Sequence, residues 1–397
     1  MRIDPTNARA TIAAYVGVPP YGRGITRFRK GQGLKHTAFY PVIGAASHEF
    51  KLHNGYLKPD RITDPLEEYW IVRRVAGLWD VTGEEVIELK GPDALPLMNE
   101  LIPRDLNRAV DGQCLYSVLC YDYGGIVEDG IVVRWSPDRV WWVGGPGSAE
   151  QWIWQNARGR DVTVRSYNDE IHVASLQGPK SREILQTVAE ADLTGLAFYH
   201  AVETKVAGVP VQITRTGYTA ELGFDIYVTV DKALRLFADL WEVGRKAGAT
   251  LAGSRALGLR RVEAAILNFG QDFDWQHTPF EAGLGWMVNR SKGFFHGRDA
   301  LLAPGADKPA RHIAGLKLEG ADIAREGDLV ELDGHQVGTV TSANYSPALD
   351  ASIAIAFLDH ETTAPGHRLT VRFEDRDVQA ETVSIPFFDP ERRLSKV

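Results

Sequence analysis

The chain has 397 residues, is 44% hydrophobic and carries a formal charge of −8, with a sequence pI near 5.8. Its length allows a large core and two or three domains, and its acidic balance argues against a general nucleic-acid binder. No apolar run approaches the ~20 residues needed to span a bilayer, and the start, MRIDPTNARA, shows no secretory-type apolar stretch, so a cytoplasmic protein is expected.

Residues 1–45 are rich in Gly, Pro and basic residues, including Arg23, Arg27, Arg29, Lys30 and Lys35. They read as an arm, either solvated or meeting an anionic ligand tail. His53 to Pro59, with Tyr56 inside it, is a turn-bearing segment suited to lining a cleft. Residues 66–78 place Leu66, Tyr69, Trp70, Val72, Val75 and Leu78 at helical spacing. A strand follows over 84–91, and Gly91-Pro92-Asp93 then opens a helix to Leu101 with Asp93 near its N-cap.

The stretch Tyr116 to Val133 reads as a β-hairpin. Val118, Cys120, Ile126, Ile131 and Val133 supply apolar positions, and Gly124-Gly125 supplies the turn. Glu128 and Asp129 interrupt this apolar pattern. A carboxylate there is costly to bury unless something bonds to it. The pair therefore either caps a solvated hairpin or serves proton work or the grip on a polar ligand. Cys114 and Cys120 lie at even spacing on the same extended segment, too far apart to bridge, and read as reduced thiols. No Cys/His cluster has zinc spacing, so no metal is expected, and no GxGxxG or Walker loop occurs.

Next come a strand over 139–145, a helix over 149–157 and a strand over 171–177. Gly178-Pro179 then precedes a helix, echoing Gly91-Pro92 and suggesting two related α+β units. Two strands flank a Gly-punctuated turn within 209–228, and a helix over 232–248 ends at Gly248. Ser254 is a reasonable N-cap for an amphipathic helix. Residues 304–311 have linker composition, and the short, turn-separated strands beyond them predict a small sandwich or barrel.

In this order the chain carries LWDVTGEEVIELKGPDAL, QCLYSVL, GGIVEDGIVV, RTGYTAELGFDIY, LRRVEAAI, TPFEAGLGWMV, FFHGRDAL, GTVTSANYSPAL and IPFFD. Together, from about residue 37 to 390, they resemble the glycine-cleavage T-protein family of tetrahydrofolate-dependent aminomethyltransferases and demethylases. Within it, EEYWIVRRVAGLWDV, PRDLNRAVDGQCLYS and FGQDFD look closer to the dimethylsulfoniopropionate demethylases, with methoxy-aromatic O-demethylases as neighbours.

The resemblance implies an α+β fold: a three-part cloverleaf of two α+β units, residues 46–303, around a central folate channel, plus a C-terminal all-β barrel over 312–397. It implies that Asp129 is the carboxylate near the folate N5/N10 edge and that Tyr116 and Tyr218 line the pterin. Asp225 falls where a glutamate usually holds the aminopyrimidine ring. Arg255, or its neighbours Arg260 and Arg261, would meet the folate glutamate carboxylates, unless these pair with Glu263 or Glu281. Trp286 and Tyr56 are candidates to touch folate or donor, and Glu221 to touch substrate; the alternative is that they are core and turn residues. His277 and His296 read as structural. The residue types suit the task, since a pterin offers adjacent N–H donors to a carboxylate and a flat face to aromatic rings.

Three features depart from the T-protein pattern. The turn usually reading GEDGFE is AELGFD, which makes Asp225 one methylene shorter than glutamate. The common Asp-Asp doublet is Glu128-Asp129. The KGCY-type signature of the family's iron–sulfur assembly members is replaced by Lys292-Gly293-Phe294-Phe295. The expected activity is methyl transfer from a small O-, S- or N-methyl donor to N5 of tetrahydrofolate. The alternatives are aminomethyl transfer from a lipoylated carrier protein, or a non-catalytic folate-binding role in regulation or assembly. The expected partner is a small-molecule methyl donor, without nucleic acid or membrane.

Overall fold

The computed structural model describes residues 35–145 and 147–397, which form two compact units. The first gathers residues 35–84, 168–217 and 221–257; the second gathers 85–167, 218–220 and 258–397. Arg23, Arg27, Arg29 and Lys30 of the expected arm lie outside the described residues, whereas Lys35 pairs with Asp169 at 2.6 Å.

The first unit is built on a six-stranded sheet in the order Ala201–Val206, Val209–Thr214, Gly223–Thr229, Ile171–Gln177, Gly77–Asp80, Thr250–Leu251. The helix Val230–Lys246 buries Ala233, Leu236, Phe237 and Leu240 among Ala174, Leu176, Phe224 and Ile226 of the sheet. That helix gives way to Gly248 at φ +84, a left-handed conformation open to glycine without a Cβ penalty. The helix expected over 66–78 is shorter. It spans Pro65–Arg74, with the Asp64 side chain accepting from the Leu66 and Glu67 amides, and Gly77–Asp80 is a strand. Gly77 and Leu78 pair with Thr250 and Leu251 on one side and Gln177 and Leu176 on the other. Non-local pairing overrides the local helical spacing there.

Glu68 holds three segments of this unit together. Its carboxylate, fully buried, accepts from the backbone N–H of Ile62 at 2.6 Å, Thr63 at 2.7 Å and Gly253 at 2.8 Å. Removing a carboxylate that satisfies buried donors leaves each of them unpaired, at about 1–3 kcal/mol apiece. Glu68→Ala is therefore expected to lower unfolding free energy by about 3 kcal/mol or more in urea titration. A loss under about 1 kcal/mol would show that the three amides find other partners.

The second unit carries a five-stranded sheet in the order Gln113–Cys120, Ile126–Ser136, Arg139–Gly144, Glu85–Lys90, Thr163–Ser166. It also carries a closed six-stranded barrel: Arg311–Leu318, Ala351–Asp359, His335–Ser346, Leu329–Leu332, Arg368–Arg372 and Asp377–Val383. The expected hairpin is present, with its turn closed by Tyr121 and Gly125 backbone groups. Asp93 stands at the N-cap position of Ala94–Leu101 but makes no cap bond; its carboxylate accepts from the Asp161 amide instead. Both cysteines are buried, and neither is in a disulfide.

The two faces of the hairpin enter different cores. Leu115, Leu119 and Val127 join Leu97, Met98 and Leu101 of the Ala94–Leu101 helix. Val118, Cys120 and Ile126 join Ile313, Ile355 and Phe357 of the barrel. The pairing slips by one residue between Leu119 and Cys120: Cys120 faces Ile126, but Leu119 faces Glu128 and Val118 faces Asp129. Side chains alternate with a period of two, so an irregularity of one residue exchanges the faces beyond it. Glu128 thereby turns toward the helix-side core, and Asp129 toward the side of Val118 and Tyr116.

Candidate functional site

Asp129 is partly exposed, and its Oδ2 accepts from the Tyr116 hydroxyl at 2.8 Å. Burial of its carboxyl is the main influence on acidity and pushes the pKa up to about 6, with the Tyr116 bond working the other way. Buried Asp272 adds a smaller upward push. The Arg104 Nη1 donates to the Tyr116 carbonyl at 2.9 Å and its guanidinium lies 5.4 Å from the Trp286 ring centre. The Trp286 ring sits 6.5 Å from that of Tyr116 and is 63% exposed, so it is no core residue. The arrangement combines a carboxyl able to exchange a proton near neutrality with an open indole face. Arg104 is not singled out by the sequence, although it lies in the PRDLNR motif, because that motif points to a family and assigns no role to its arginine.

Glu128, the adjacent residue, is wholly buried on the opposite face. Trp142 Nε1 and the Ala149 amide donate to it, each at 3.3 Å. A Cβ at Gly144 or Gly147 would lie 2.3 or 2.2 Å from its oxygens, so both glycines are needed for the chain to close around it. Burial pushes its pKa up to about 9, and its two hydrogen bonds offset this only in part. Glu128 is thus a neutral acid at pH 7. Wholly buried, it does not cap a solvated turn.

Tyr218 is half-buried and donates to the Leu267 carbonyl at 2.8 Å. Arg260 pairs with Glu263 at 3.0 Å and also donates to the Thr219 carbonyl. Arg261 pairs instead with Asp272 at 2.7 Å. His277 bonds Asp274 and His296 bonds Asp122, in keeping with structural roles. Lys292 reaches the carbonyls of Asn99, Ile102 and Arg104, and its burial brings its pKa down to about 8.

The first unit holds a separate polar cluster at Asp225. Ser175 Oγ donates to its Oδ1 at 2.6 Å and Thr216 Oγ1 to its Oδ2 at 2.8 Å. Gln177 Nε2 bonds the Ser175 hydroxyl and the Thr216 carbonyl. The Gln177 amide occupies the space that side chains at Gly217 and Gly223 would fill. Burial raises the Asp225 pKa, and the two hydroxyls oppose the shift. Gln177 Nε2 adds a longer contact to Oδ1 at 3.5 Å, and these three donors leave room on the carboxylate for an N–H donor of a ligand. Ser175 and Thr216 were missed, although polar residues in otherwise buried sheet segments were the available signal.

The remaining candidates of this unit are engaged within it. Arg255 forms ion pairs with Asp60 at 2.7 Å and Glu49 at 2.9 Å, not with Glu263 or Glu281. Tyr56 is buried and donates to Asp169 at 2.8 Å. Glu221 is buried and lies 3.6 Å from Arg73, so it is not the solvated turn residue expected. Among the described residues, no cluster of three His, Cys, Asp or Glu is arranged for a metal, and no helix is long and apolar enough to cross a membrane.

Residues 35–292 match the GCVT N-terminal domain, and residues 311–389 match the glycine cleavage T-protein C-terminal barrel domain. An aminomethyltransferase of Halothermothrix orenii is 34% identical over 89% of this chain and 100% of its own length. That of Thermotoga neapolitana is 35% identical over 89% of this chain and 98% of its own. The crystal structure of the glycine cleavage system aminomethyltransferase T from Bartonella henselae aligns with a TM-score of 0.83 and 26% identity, covering 90% of this chain and 99% of that one. The chain therefore belongs to the glycine-cleavage T-protein family, a family of folate-dependent one-carbon transferases whose aminomethyltransferases use tetrahydrofolate. These relatives bear the aminomethyltransferase name, so the demethylase branch inferred from motifs lacks support among them.

The protonated state of Glu128 has a measurable sign. Folded, it keeps its proton up to about pH 9; unfolded, it releases it near the ordinary value of 4.5. Its contribution to stability is present in full below that value and is lost as pH rises toward 9. Glu128→Gln carries no titrating proton, so its melting temperature should fall less between pH 5 and pH 9 than that of the wild type. Equal slopes in a thermal-unfolding series would refute a neutral Glu128.

Proposed function

We propose that this chain transfers an aminomethyl-derived one-carbon unit to tetrahydrofolate, receiving it from a lipoylated carrier protein. The observation carrying this reading is the near full-length similarity to proteins named aminomethyltransferase. It displaces the small-molecule methyl donor as the first expectation.

Tetrahydrofolate, when bound, supplies the nucleophilic nitrogen that takes up the carbon unit. The residues of the second unit suit such a ligand: the exposed face of Trp286 offers a stacking surface, and Asp129 offers a partly open carboxyl. Asp129 is assigned the proton exchange that accompanies transfer, because a group with a pKa near 6 works in both directions close to neutral pH. Tyr116 fixes its orientation through the 2.8 Å bond. Tyr218 is assigned to the pterin side. Asp225 is assigned to N–H donors of the aminopyrimidine; Ser175 and Thr216 hold the shorter side chain in one orientation. Arg255, Tyr56 and Glu221 receive structural roles from the partners described above.

A second reading, methyl transfer from a small O-, S- or N-methyl donor, is favoured by the segments EEYWIVRRVAGLWDV, PRDLNRAVDGQCLYS and FGQDFD. Product identity separates the two. The protein would be incubated with tetrahydrofolate and either an aminomethyl-loaded lipoyl carrier or a panel of methylated donors, and the folate analysed by mass spectrometry. Methylene-tetrahydrofolate from the carrier supports the first reading, 5-methyltetrahydrofolate from a donor supports the second, and no turnover with either leaves only a folate-binding role.

Asp129→Asn is expected to cut turnover at least ~100-fold, the scale of a lost acid–base group. With Asp129 as proton acceptor, wild-type activity should rise with pH through about 6, and this acid limb should vanish in the variant. Near-normal turnover with an unchanged profile would remove Asp129 from the mechanism.

A further inference from the structure

The barrel strand His335–Ser346, which contains the GTVTSANYS motif, makes a series of side-chain bonds that the proposed chemistry does not use. Residues 342, 344 and 346 alternate onto one face, as the period of a strand requires. Ser342 Oγ donates to Asp272 Oδ1 at 2.6 Å, Asn344 Nδ2 donates to the Gly258 carbonyl at 3.2 Å, and Ser346 Oγ bonds Glu263. Between Val340 and Ser342 the pairing with Ala351–Asp359 skips Thr341. Such a bulge turns the extra residue out of alternation. Thr341 Oγ1 consequently reaches the same Asp272 oxygen as Ser342, also at 2.6 Å.

Asp272 belongs to the FGQDFD segment, and its side chain has no exposure. Its other oxygen accepts from Arg261 Nη1 at 2.7 Å and the Asn268 amide at 2.8 Å. Arg261 Nη2 closes the ring on Ser342 Oγ and Gln271 Oε1, each at 2.8 Å. Four donors on one carboxylate saturate it, so the loop from Leu267 to Asp272 is clamped to the barrel. The carbonyl of Leu267, at the start of that loop, accepts the Tyr218 hydroxyl. A second route runs from Ser346 through Glu263 and Arg260 to the carbonyl of Thr219, the next residue.

We propose that Thr341 and Ser342 of the barrel are positioning residues for Tyr218: through Asp272 they fix the loop whose carbonyl aims the Tyr218 ring at the folate ligand. This rests on the reading of Tyr218 as a pterin-side residue. The barrel, on this view, contributes to ligand affinity without touching the ligand.

The test is calorimetric titration of the full chain with tetrahydrofolate. Tyr218→Phe, Thr341→Val with Ser342→Ala, and the combination of all three would be compared with wild type. The barrel pair is expected to weaken binding about tenfold, the low end for a lost bond to a charged group. The three changes together should weaken it far less than the product of the separate effects, because both act through one element. Thr341→Ser, which keeps the hydroxyl, should bind like wild type.

A folded barrel variant with unchanged affinity would overturn the proposal, as would effects that multiply in the combined variant. If the paired variant does not fold, Ser342→Ala alone carries the same comparison, with an expected loss of several-fold; unchanged affinity there also overturns it. An unaffected Tyr218→Phe would instead remove Tyr218 from the ligand site and defeat the underlying reading, which distinguishes the two failures.

Discussion

A one-residue slip in strand pairing decides where two neighbouring carboxylates of the second unit lie. Two consecutive carboxylates on a strand buried on both faces face two cores, and the irregularity at Leu119 and Cys120 selects which goes where. In regular pairing Glu128 would share the face of Ile126, toward the barrel-side core. With the slip it lies opposite Leu119 among Trp142 and Ala149, where it stays protonated. Asp129 is left beside Tyr116, partly exposed, with its pKa pushed up to about 6. One strand thus carries a wholly buried neutral acid and a partly exposed, more acidic one, separated by a single peptide bond.

Buried carboxylates recur through this acidic chain, and each has its own means of satisfaction. Glu68 takes three backbone amides, Asp225 takes two hydroxyls, and Asp272 takes an arginine, an amide and two hydroxyls. A buried carboxylate is costly unless hydrogen bonds or an ion pair compensate the lost water. The partners come from remote parts of the sequence, so each acid joins segments that local propensity does not connect. Asp272 is the clearest instance: its partners span the helix Ser254–Glu263 and the barrel strand His335–Ser346.

The hairpin, the Gly-Pro-initiated helices and the barrel were legible from alternation and turn residues, signals that act over a few positions. The family was legible from motif order. The strand Gly77–Asp80 was hidden behind helical spacing because its two neighbours in the sheet are distant in sequence. The fates of Arg255, Tyr56 and Glu221 were hidden for the same reason, since Glu49, Asp169 and Arg73 lie far from them along the chain. Asp129 could be selected from sequence as a carboxylate out of place, but not distinguished physically from Glu128. That distinction depends on the pairing register, which no local pattern specifies.

Calorimetric binding of tetrahydrofolate to the wild type and to Asp129→Asn, in two buffers of different ionisation enthalpy at pH 6, shows whether Asp129 holds an exchangeable proton at the folate site. Saturable binding is expected in both proteins; the ligand buries the Asp129 carboxyl further and raises its pKa, so the wild type takes up a proton on binding and the variant does not. Absence of binding to the wild type, or the same proton exchange in both proteins, would contradict it.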